Sequence, residues 1–239
     1  IVKEYNSNYI STGFDFYVVE ADEYDRSFLQ LFPTHAAITS MDADHMEIYD
    51  SLEGIEKGFA AFVKQVKNTL LVSYGLPFSN LTYGFEANSS YSIPTFKPHN
   101  TGYLFDVITP QGEEKALYFN QIGKHNLFNA LCAISLAHLE GVSFKSIRRG
   151  LASFPGIERR MNQYQLDNLL LIDDYAHHPV ELKAVLKTIK STYPKRKNAI
   201  VFQPHLFSRT RDFMYDFACV LSEFDEVILL DIYPAREHP

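Results

Sequence analysis

The sequence predicts an α/β protein with two domains, each built on a sheet flanked by helices. Three observations lead to this prediction. Short apolar runs end in polar segments, helical patterns separate these runs, and the alternation stops at a Pro-Gly pair and then starts again. The length of 239 residues fits two modest domains. We therefore expect a first domain at residues 1–155 and a second at residues 156–239.

Two apolar runs near the start of the first domain each lead into acidic residues. Residues 16–19 predict a buried strand that ends at Glu20, and residues 36–39 predict a second strand that leads into Asp-Ala-Asp-His at residues 42–45. Ligands of open α/β sheets bind beyond the carboxyl ends of the strands. The two acidic segments are therefore candidates for one shared crevice.

The rest of the first domain mixes helical and alternating patterns. A helix starts at Ser51 and a strand follows it, which is a βαβ rhythm. Short alternating runs at residues 81–119 predict an antiparallel flap, with a hairpin turn at residues 110–113. Two apolar helices, at residues 126–139 and 144–154, complete the domain.

The second domain alternates regularly between strands and helices. This alternation predicts a parallel sheet with helices on its faces. The predicted elements are strands at residues 169–172, 199–202 and 227–230, and helices at residues 180–189 and 211–221.

The composition excludes several classes of protein. A net charge of -7 and a pI near 5.7 provide no basic surface for nucleic acid. No apolar run approaches the roughly 20 residues that a membrane-spanning helix needs, and the opening residues do not have the pattern of a signal peptide. Cys132 and Cys219 lie far apart, which suits a reducing compartment. We expect a soluble, cytoplasmic protein that binds neither nucleic acid nor membrane; the sequence does not indicate its oligomeric state.

Four carboxylates crowd the end of the first predicted strand, on Glu20, Asp22, Glu23 and Asp25. Crowded carboxylates repel one another unless a cation or water offsets their charge, and Mg²⁺ bound with a nucleotide is one such cation. A solvated acidic loop explains the segment equally well. His45 adds an imidazole at the neighbouring strand end, which favours the metal site, although Mg²⁺ prefers oxygen ligands.

The helix predicted from residue 126 carries two amides on one face. Asn126 and Asn129 lie one turn apart, so their donors and acceptors are suited to reading the edge of a base. Capping of the helix by Asn126 is the alternative, and for the segment alone it is the favoured one. Arg159 and Arg160 follow the Pro-Gly pair and are candidates either for a phosphate contact or for a surface ion pair.

Acids, a phenol and imidazoles are concentrated after the first strand of the second domain. Residues 173–179 include Asp174, Tyr175 and His177, and such a density of polar groups is rarely buried without a function. His205 and Arg209 follow the next predicted strand. The residues alone predict a two-domain α/β enzyme that binds phosphate, a metal and an anionic substrate, but they do not predict its reaction.

Five strings occur together in the order and context of the Mur ligase family. They are Val-Glu-Ala-Asp-Glu-Tyr-Asp at residues 19–25, Asp-Ala-Asp-His at 42–45, Gly-Lys-His-Asn-Leu-Phe-Asn-Ala at 123–130, Phe-Pro-Gly-Ile-Glu-Arg-Arg at 154–160 and Asp-Tyr-Ala-His-His-Pro at 174–179. Further strings, at residues 202–205, 208–211 and 231–237, are similar to the branch of the family that adds L-alanine. The chain resembles a Mur ligase over essentially its whole length.

The resemblance implies both a fold and a reaction. The fold would be a central ATPase domain with a parallel sheet and a small antiparallel flap, followed by a Rossmann-like C-terminal domain, both incomplete. ATP, with Mg²⁺, would phosphorylate the carboxylate of UDP-N-acetylmuramate. The amine of L-alanine would then attack the acyl phosphate to form an amide, which is a step of peptidoglycan synthesis.

The resemblance also implies a role for each matching residue. Glu20 would hold the Mg²⁺ that bridges the β- and γ-phosphates, and His45 would bind a second Mg²⁺ beside the reacting carboxylate. The residues implied at the nucleotide are His125, Asn126, Asn129, Arg160 and Asp174. Those implied at the amino acid are Tyr175, His177, His205 and Arg209. Those implied in catalysis are Glu20, His45, Arg160 and His177.

The chain departs from the family pattern in two respects. Leu206 stands where the family often has a basic residue, so we expect one substrate contact to be absent or supplied elsewhere. The Gly-rich phosphate loop and the UDP-binding domain of the family do not occur in these residues. We therefore expect the 239 residues to be an internal piece that is inactive alone.

Three alternative functions stay open at this point. A murein peptide ligase shares most of the strings but attaches a whole peptide to the same sugar nucleotide, and Ser-Arg-Thr-Arg at residues 208–211 argues against it. A folate polyglutamate ligase shares the two-domain plan, but residues 174–178 suit it less well. The third alternative is a nucleotide-binding module without catalysis.

Overall fold

The computed structural model describes residues 7, 9–11, 13, 16–41, 49, 51–78, 80–235 and 237. The chain divides into two compact units. The first unit comprises Ser7–Gln121 and Asn126–Phe154, and the second contains Ile122–His125 together with Pro155–Pro239. The short segment Ile122–His125 therefore groups with the later part of the chain. Each unit has a hydrophobic core of its own.

A mixed sheet forms the centre of the first unit. The strands are β1 (His35–Ile38), β2 (Thr69–Ser73), β3 (Leu81–Gly84), β4 (Tyr91–Ser92), β5 (Phe96–His99), β6 (Gly102–Thr109) and β7 (Gly112–Phe119). Among the described residues they form one seven-stranded sheet in the order β1-β2-β3-β4-β6-β5, with β7 paired to β6. Strands β1 to β4 run parallel to one another, whereas β6 is antiparallel to β4, β5 and β7.

Helices cover both faces of this sheet. They are a 3-10 helix (Tyr24–Gln30), α1 (Leu52–Val63), α2 (Lys124–Leu139) and α3 (Phe144–Ser153). Successive side chains of β2 point to opposite faces, so Leu70 and Val72 join the core with α1 while Leu71 joins the core with α2 and α3. A strand buried on both faces reads as a continuous apolar run, which is how residues 70–72 appear in the sequence.

Local signals explain the ends of these elements. The hydroxyl of Ser51 accepts a hydrogen bond from the backbone N–H of Gly54 at 3.1 Å, which caps α1. The β6–β7 hairpin turns at Gly112, whose φ of 144° is in the region that favours glycine. Thr109 supports this turn because its hydroxyl donates to the carbonyl of Gly112 at 3.0 Å. The predicted start of α1 and the predicted hairpin turn are both confirmed.

One prediction for the first unit is wrong, and a second is confirmed only in part. Residues 16–19 form no strand, and their side chains are 63–94% exposed. An apolar run becomes a buried strand only when neighbouring strands satisfy its backbone groups, and no described strand pairs with this one. The antiparallel flap predicted at residues 81–119 is confirmed for β5, β6 and β7, which pair antiparallel, but β3 and β4 extend the parallel part of the sheet.

The second unit contains two pairs of strands and three helices among its described residues. The strands are β8 (Asn162–Leu166), β9 (Leu169–Asp173), β10 (Ala199–Phe202) and β11 (Glu226–Leu229), and the helices are α4 (Pro179–Thr192), α5 (Phe207–Asp212) and α6 (Met214–Leu221). Strands β10 and β11 are parallel, and the core beside them contains Phe202 with apolar residues of α4 and α6. This parallel pair agrees with the predicted βα alternation.

The structure corrects this alternation at two points. Strand β9 pairs with β8 as an antiparallel hairpin, and does not begin a parallel sheet. Strand β8 was not predicted, because four of its five residues are exposed and the segment has no apolar run. The helix predicted at residues 211–221 is divided at Phe213 into α5 and α6. No helix of the described residues has the length and apolar character needed to cross a membrane.

Candidate active site

Asp174, at the end of β9, joins two segments of the second unit. One carboxylate oxygen accepts a hydrogen bond from the backbone N–H of Met161 at 2.9 Å, and the other accepts from the backbone N–H of Ala176 at 2.8 Å. The first bond reaches the segment that precedes β8. The second closes the loop between β9 and α4. Asp174 therefore fixes both segments relative to each other.

A buried amide holds the backbone around Arg160. The side chain of Asn162 is buried, and its oxygen accepts from the backbone N–H of Arg159 at 2.8 Å. Its nitrogen donates to the carbonyls of Ile157 at 2.9 Å and Arg160 at 3.3 Å. The carbonyl of Arg159 in turn accepts from the backbone N–H of Tyr175 at 2.7 Å. Arg160 itself is exposed, so its side chain extends from a rigidly held backbone.

The start of α4 fixes the two histidines of the 174–179 loop. The carboxylate of Glu181 accepts from the backbone N–H of His177 at 2.9 Å and of His178 at 3.1 Å. The ring of His178 accepts from the backbone N–H of Val180, which completes a capping box, and Pro179 occupies the first turn. The sequence folds this way because acidic and proline residues are both favourable in the first turn of a helix.

Four aromatic rings form a row in the second unit. The rings of Tyr175 and His177 are 5.2 Å apart, those of His177 and His205 are 6.0 Å apart, and those of His205 and Tyr233 are 5.4 Å apart. The structure thus brings together three of the four predicted pocket residues, Tyr175, His177 and His205. Tyr233, which is not among the predicted site residues, extends the row.

The loop that carries His205 is fastened to the segment around Tyr233. The backbone N–H of Leu206 donates to the carbonyl of Tyr233 at 2.9 Å, and the backbone N–H of Tyr233 donates to the carbonyl of Pro204 at 2.8 Å. Leu206 has a φ of 72°, an uncommon conformation for a residue with a side chain. Arg209, the fourth predicted pocket residue, lies on α5, which begins directly after this loop.

His125 lies within electrostatic reach of two other predicted nucleotide ligands. Burial lowers the pKa of His125 below its usual 6.5; nearby Asp174 opposes this effect, and Arg160 adds to it. Gly123 shapes this corner of the second unit. Its φ is 99°, and a Cβ atom at this position would lie 2.7 Å from Cε1 of His125. The backbone conformation therefore favours glycine, and a larger residue would also displace the imidazole.

The candidate residues of the first unit lie at the acidic segment and at the start of α2. Glu20 is exposed, and the carboxylate of Asp22 accepts from the backbone N–H of Tyr24 at 2.9 Å at the start of the 3-10 helix. Asn126 is partly buried and Asn129 is exposed. His45 lies outside the described residues. Within the part of the chain that the structure describes, no three His, Cys, Asp or Glu side chains converge as a metal site would require.

Comparison with known domains identifies the class of protein. The Mur ligase middle domain matches residues 5–137, and the glutamate ligase domain of Mur ligases matches residues 159–239. The chain therefore belongs to the Mur ligase family, and the predicted family and α/β fold class are both confirmed.

Within this family the chain is similar to enzymes that add alanine. It is 50% identical to a UDP-N-acetylmuramate–L-alanine ligase of Flavobacterium psychrophilum and 40% identical to one of Porphyromonas gingivalis. Both alignments include 100% of this chain, with 54% and 55% of the relatives. The chain thus spans about half the length of the curated relatives it matches.

Solved structures give a consistent result for the fold. The UDP-N-acetylmuramate-alanine ligase of Thermotoga maritima superposes with a TM-score of 0.76 at 26% identity, over 89% of this chain and 49% of that one. The folylpolyglutamate synthetase of Lactobacillus casei superposes with a TM-score of 0.65 at 17% identity, over 87% of this chain and 52% of that one. The second comparison shows a shared fold alone.

Proposed function

We propose that this protein is an ATP-dependent ligase that joins L-alanine to the carboxylate of UDP-N-acetylmuramate, in cytoplasmic synthesis of peptidoglycan precursors. The observation that carries the proposal is 50% identity, over the whole of this chain, to a ligase with this named pair of substrates. The arrangement of side chains in the second unit supports it, because acceptor groups and cations there match the chemistry of an amino acid and a phosphate.

The proposed reaction has two steps. First, a carboxylate oxygen of UDP-N-acetylmuramate attacks the γ-phosphorus of ATP, and ADP leaves with the electron pair of the broken bond. Second, the amine of L-alanine attacks the acyl carbon, inorganic phosphate leaves and the amine loses a proton. Such transfers depend on positioning and on stabilisation of charge. The protein must therefore supply anion-binding groups, a proton acceptor and rigid backbone to hold them.

We assign the amino-acid pocket to Tyr175, His177, His205 and Arg209. The planar guanidinium of Arg209 suits the carboxylate of alanine. Nδ1 of His177 lies 2.9 Å from the carbonyl of Tyr175 and 3.5 Å from the carboxylate of Glu181, and both of these oxygens are acceptors. The neutral ring therefore carries its proton on Nδ1 and leaves Nε2 as an acceptor. We assign to Nε2 the task of orienting the amine and accepting its proton.

We assign His125, Arg160 and Asp174 to the nucleotide in the second unit. The backbone of Arg160 is held by Asn162, so its guanidinium meets a phosphate with little loss of backbone freedom. Each carboxylate oxygen of Asp174 accepts one backbone hydrogen bond and retains a second lone pair, which is available to a ribose hydroxyl.

We assign the base contacts and one metal ligand to the first unit. Asn126 and Asn129 lie one turn apart at the start of α2 and offer amide donors and acceptors. Glu20 offers an exposed carboxylate, which is the type of ligand that Mg²⁺ prefers. His45 is assigned to a second Mg²⁺ by its sequence context alone. Bound Mg²⁺ would neutralise charge on the phosphate oxygens.

Release of inorganic phosphate by the full-length protein tests this function. The assay contains Mg-ATP and UDP-N-acetylmuramate, and compares L-alanine with a cell-wall tripeptide and with L-glutamate as the acceptor. We expect release that depends on L-alanine. We also expect Arg209→Ala to raise the KM for alanine by about tenfold or more, because a charge-assisted contact is lost. Exposed Arg149 in α3 provides the matched control, Arg149→Ala.

The amine substrate that stimulates phosphate release distinguishes the alanine ligase from the other three functions. Preference for the tripeptide would identify a peptide ligase and overturn the proposal. Dependence on glutamate with a folate substrate in place of the sugar nucleotide would also overturn it. Tight binding of Mg-ATP without phosphate release from any acceptor would indicate a nucleotide-binding module.

A further inference from the structure

A carboxylate from a distant part of the second unit holds the first turn of α5. Both oxygens of Glu237 are engaged by Ser208: the backbone N–H of Ser208 donates to one at 3.0 Å, and its hydroxyl donates to the other. These bonds, together with the backbone of Phe207, lower the pKa of Glu237. The carboxylate therefore stays ionised at neutral pH and remains an acceptor for both donors.

This contact is needed because α5 has little stability of its own. The helix has six residues, and Leu206 at its N-cap position makes no side-chain capping hydrogen bond. Isolated helices of this length are unstable in water, and an uncapped first turn leaves backbone N–H groups without partners. Glu237 supplies the missing acceptor from outside the helix, and its negative charge is favourable at this end.

Arg209 directly follows Ser208 in the chain. The hydrogen bonds between Glu237 and Ser208 therefore fix the position of the Cα atom of Arg209. Leu206, with its φ of 72°, directs the chain sharply into α5, and Tyr233 fastens the preceding backbone. Tyr233 and Glu237 thus hold the loop at two points, one on each side of Leu206. Because the arginine side chain is long, a small change in the backbone at Arg209 moves the guanidinium by a larger distance.

We propose that Glu237 is a positioning residue for Arg209, and that it sets the affinity for the carboxylate of the amino-acid substrate through its two bonds to Ser208. The inference rests on the proposed function for the identity of that substrate. No contact between Glu237 and alanine or ATP is part of this proposal. Its effect is to keep the first turn of α5, and with it the guanidinium, in the orientation that binds the carboxylate.

The test uses steady-state kinetics of the full-length protein with saturating ATP and UDP-N-acetylmuramate. We expect Glu237→Ala to raise the KM for alanine by about fivefold to tenfold, the size of effect expected from loss of a helix cap. We expect kcat and the KM for ATP to change by less than about twofold. The contact with the alanine carboxylate is equally strong in the ground state and the transition state, so its loss raises only the KM for alanine. Glu226→Ala, at an exposed carboxylate in β11, is the matched control.

Rescue separates positioning from general support of the fold. Glu237→Gln retains an oxygen that accepts from the backbone of Ser208 and a nitrogen that donates to its hydroxyl, so we expect it to restore most of the alanine affinity. Ser208→Ala should give an intermediate KM. Hydrogen exchange of the Ser208 amide should be faster in Glu237→Ala than in the wild type.

Two outcomes overturn the inference in distinguishable ways. If the wild type uses alanine and Glu237→Ala leaves its KM unchanged, or lowers kcat and melting temperature without changing KM, Glu237 has only a structural role. If the wild type shows no alanine-dependent phosphate release, the proposed function fails first, and the inference about this substrate fails with it.

Discussion

The carboxylate of Asp174 accepts a hydrogen bond from the backbone N–H of Met161 across 13 positions of sequence, at 2.9 Å. Between the two residues lies the whole β8–β9 hairpin. Asp174 therefore closes the base of this hairpin and holds the Arg160 segment beside the loop of Tyr175 and His177. The side chain of Asp174 thus links Arg160, which the resemblance implies at the phosphates, to Tyr175 and His177, which it implies at the amino acid.

Replacement of Asp174 tests this link. Asp174→Ala removes the acceptors for two backbone N–H groups, so we expect a loss of about 2 kcal/mol in the free energy of unfolding and a KM for ATP that rises about tenfold. Asp174→Asn keeps one acceptor oxygen and should lose about half as much stability. Urea unfolding and phosphate release measure the two effects, with exposed Asp216→Ala as the control. If Asp174→Ala and Asp174→Asn were as stable as the control Asp216→Ala, Asp174 would not hold the two segments together.

Asn162 provides a second test, because it is polar and buried. Its amide bonds backbone groups of Arg159, Ile157 and Arg160. Asn162→Ala removes this partner from the N–H of Arg159 and the carbonyl of Arg160, whereas the carbonyl of Ile157 still accepts from the backbone N–H of Arg160 at 3.3 Å. We expect unfolding to become easier by about 2 kcal/mol or more. Asn168→Ala, in the exposed turn of the same hairpin, is the matched control. An unchanged urea midpoint for Asn162→Ala would show that water replaces the amide.

Glu181 should affect both the start of α4 and the position of His177. Glu181→Ala removes the acceptor for the backbone N–H groups of His177 and His178, and loss of such a cap costs about 1 kcal/mol. We also expect kcat to fall, since His177 loses the contact that helps to fix its tautomer. Glu181→Gln keeps an acceptor oxygen and should retain most of the stability. A variant with lower stability and full kcat would show that Glu181 is not needed to fix the tautomer of His177 and that the carbonyl of Tyr175 is sufficient.

His125 makes the second unit sensitive to acid. Its folded-state pKa lies below the usual 6.5 of the unfolded state, so near and below pH 6.5 the unfolded chain binds the proton more readily. The contribution of His125 to stability is therefore fully present above pH 6.5 and is lost as the pH falls below that value. Asp174 and Glu181 oppose the shift, and Arg160 increases it.

The corresponding experiment compares urea unfolding of wild type and His125→Gln at pH 7.5 and pH 5.5. We expect the wild type to lose more stability between the two pH values than the variant, since glutamine does not titrate. Exposed His99 in β5 provides the control His99→Gln, which should behave as the wild type. A pH dependence that is identical in wild type and His125→Gln would show that His125 is protonated without cost in the folded protein.

Local patterns with their own stop signals could be predicted from the sequence. The predicted strand at residues 199–202 has the bounds of β10, because four apolar residues lie between a charged segment and a Gln-Pro pair. The helix at Ser51 was predicted from its capping residue. Both signals act within a few residues and need no information about the rest of the fold.

Features that depend on distant partners could not be predicted. The run at residues 16–19 is apolar, but a strand exists only where another strand pairs with it. Strand β8 is mostly polar and is defined by its pairing with β9. The candidate site shows the same limit. The strings predict which side chains are candidates for chemistry, whereas the supporting contacts of Asn162 and Glu237 follow from tertiary structure.

The backbone on both sides of Arg160 is left-handed. This conformation lowers the stability of the folded protein but holds Arg160 in a fixed position. Arg159 and Met161 have φ values of 56° and 54°, a conformation that costs residues with side chains about 1 kcal/mol each relative to glycine. Glycine at exposed Arg159 would relieve this strain and would also loosen the backbone that Asn162 now holds, whereas glycine at buried Met161 would remove a core side chain and cost more than it relieves. Selection of this protein for heat resistance alone is therefore expected to favour glycine at position 159, and to lower the affinity for ATP as it does so.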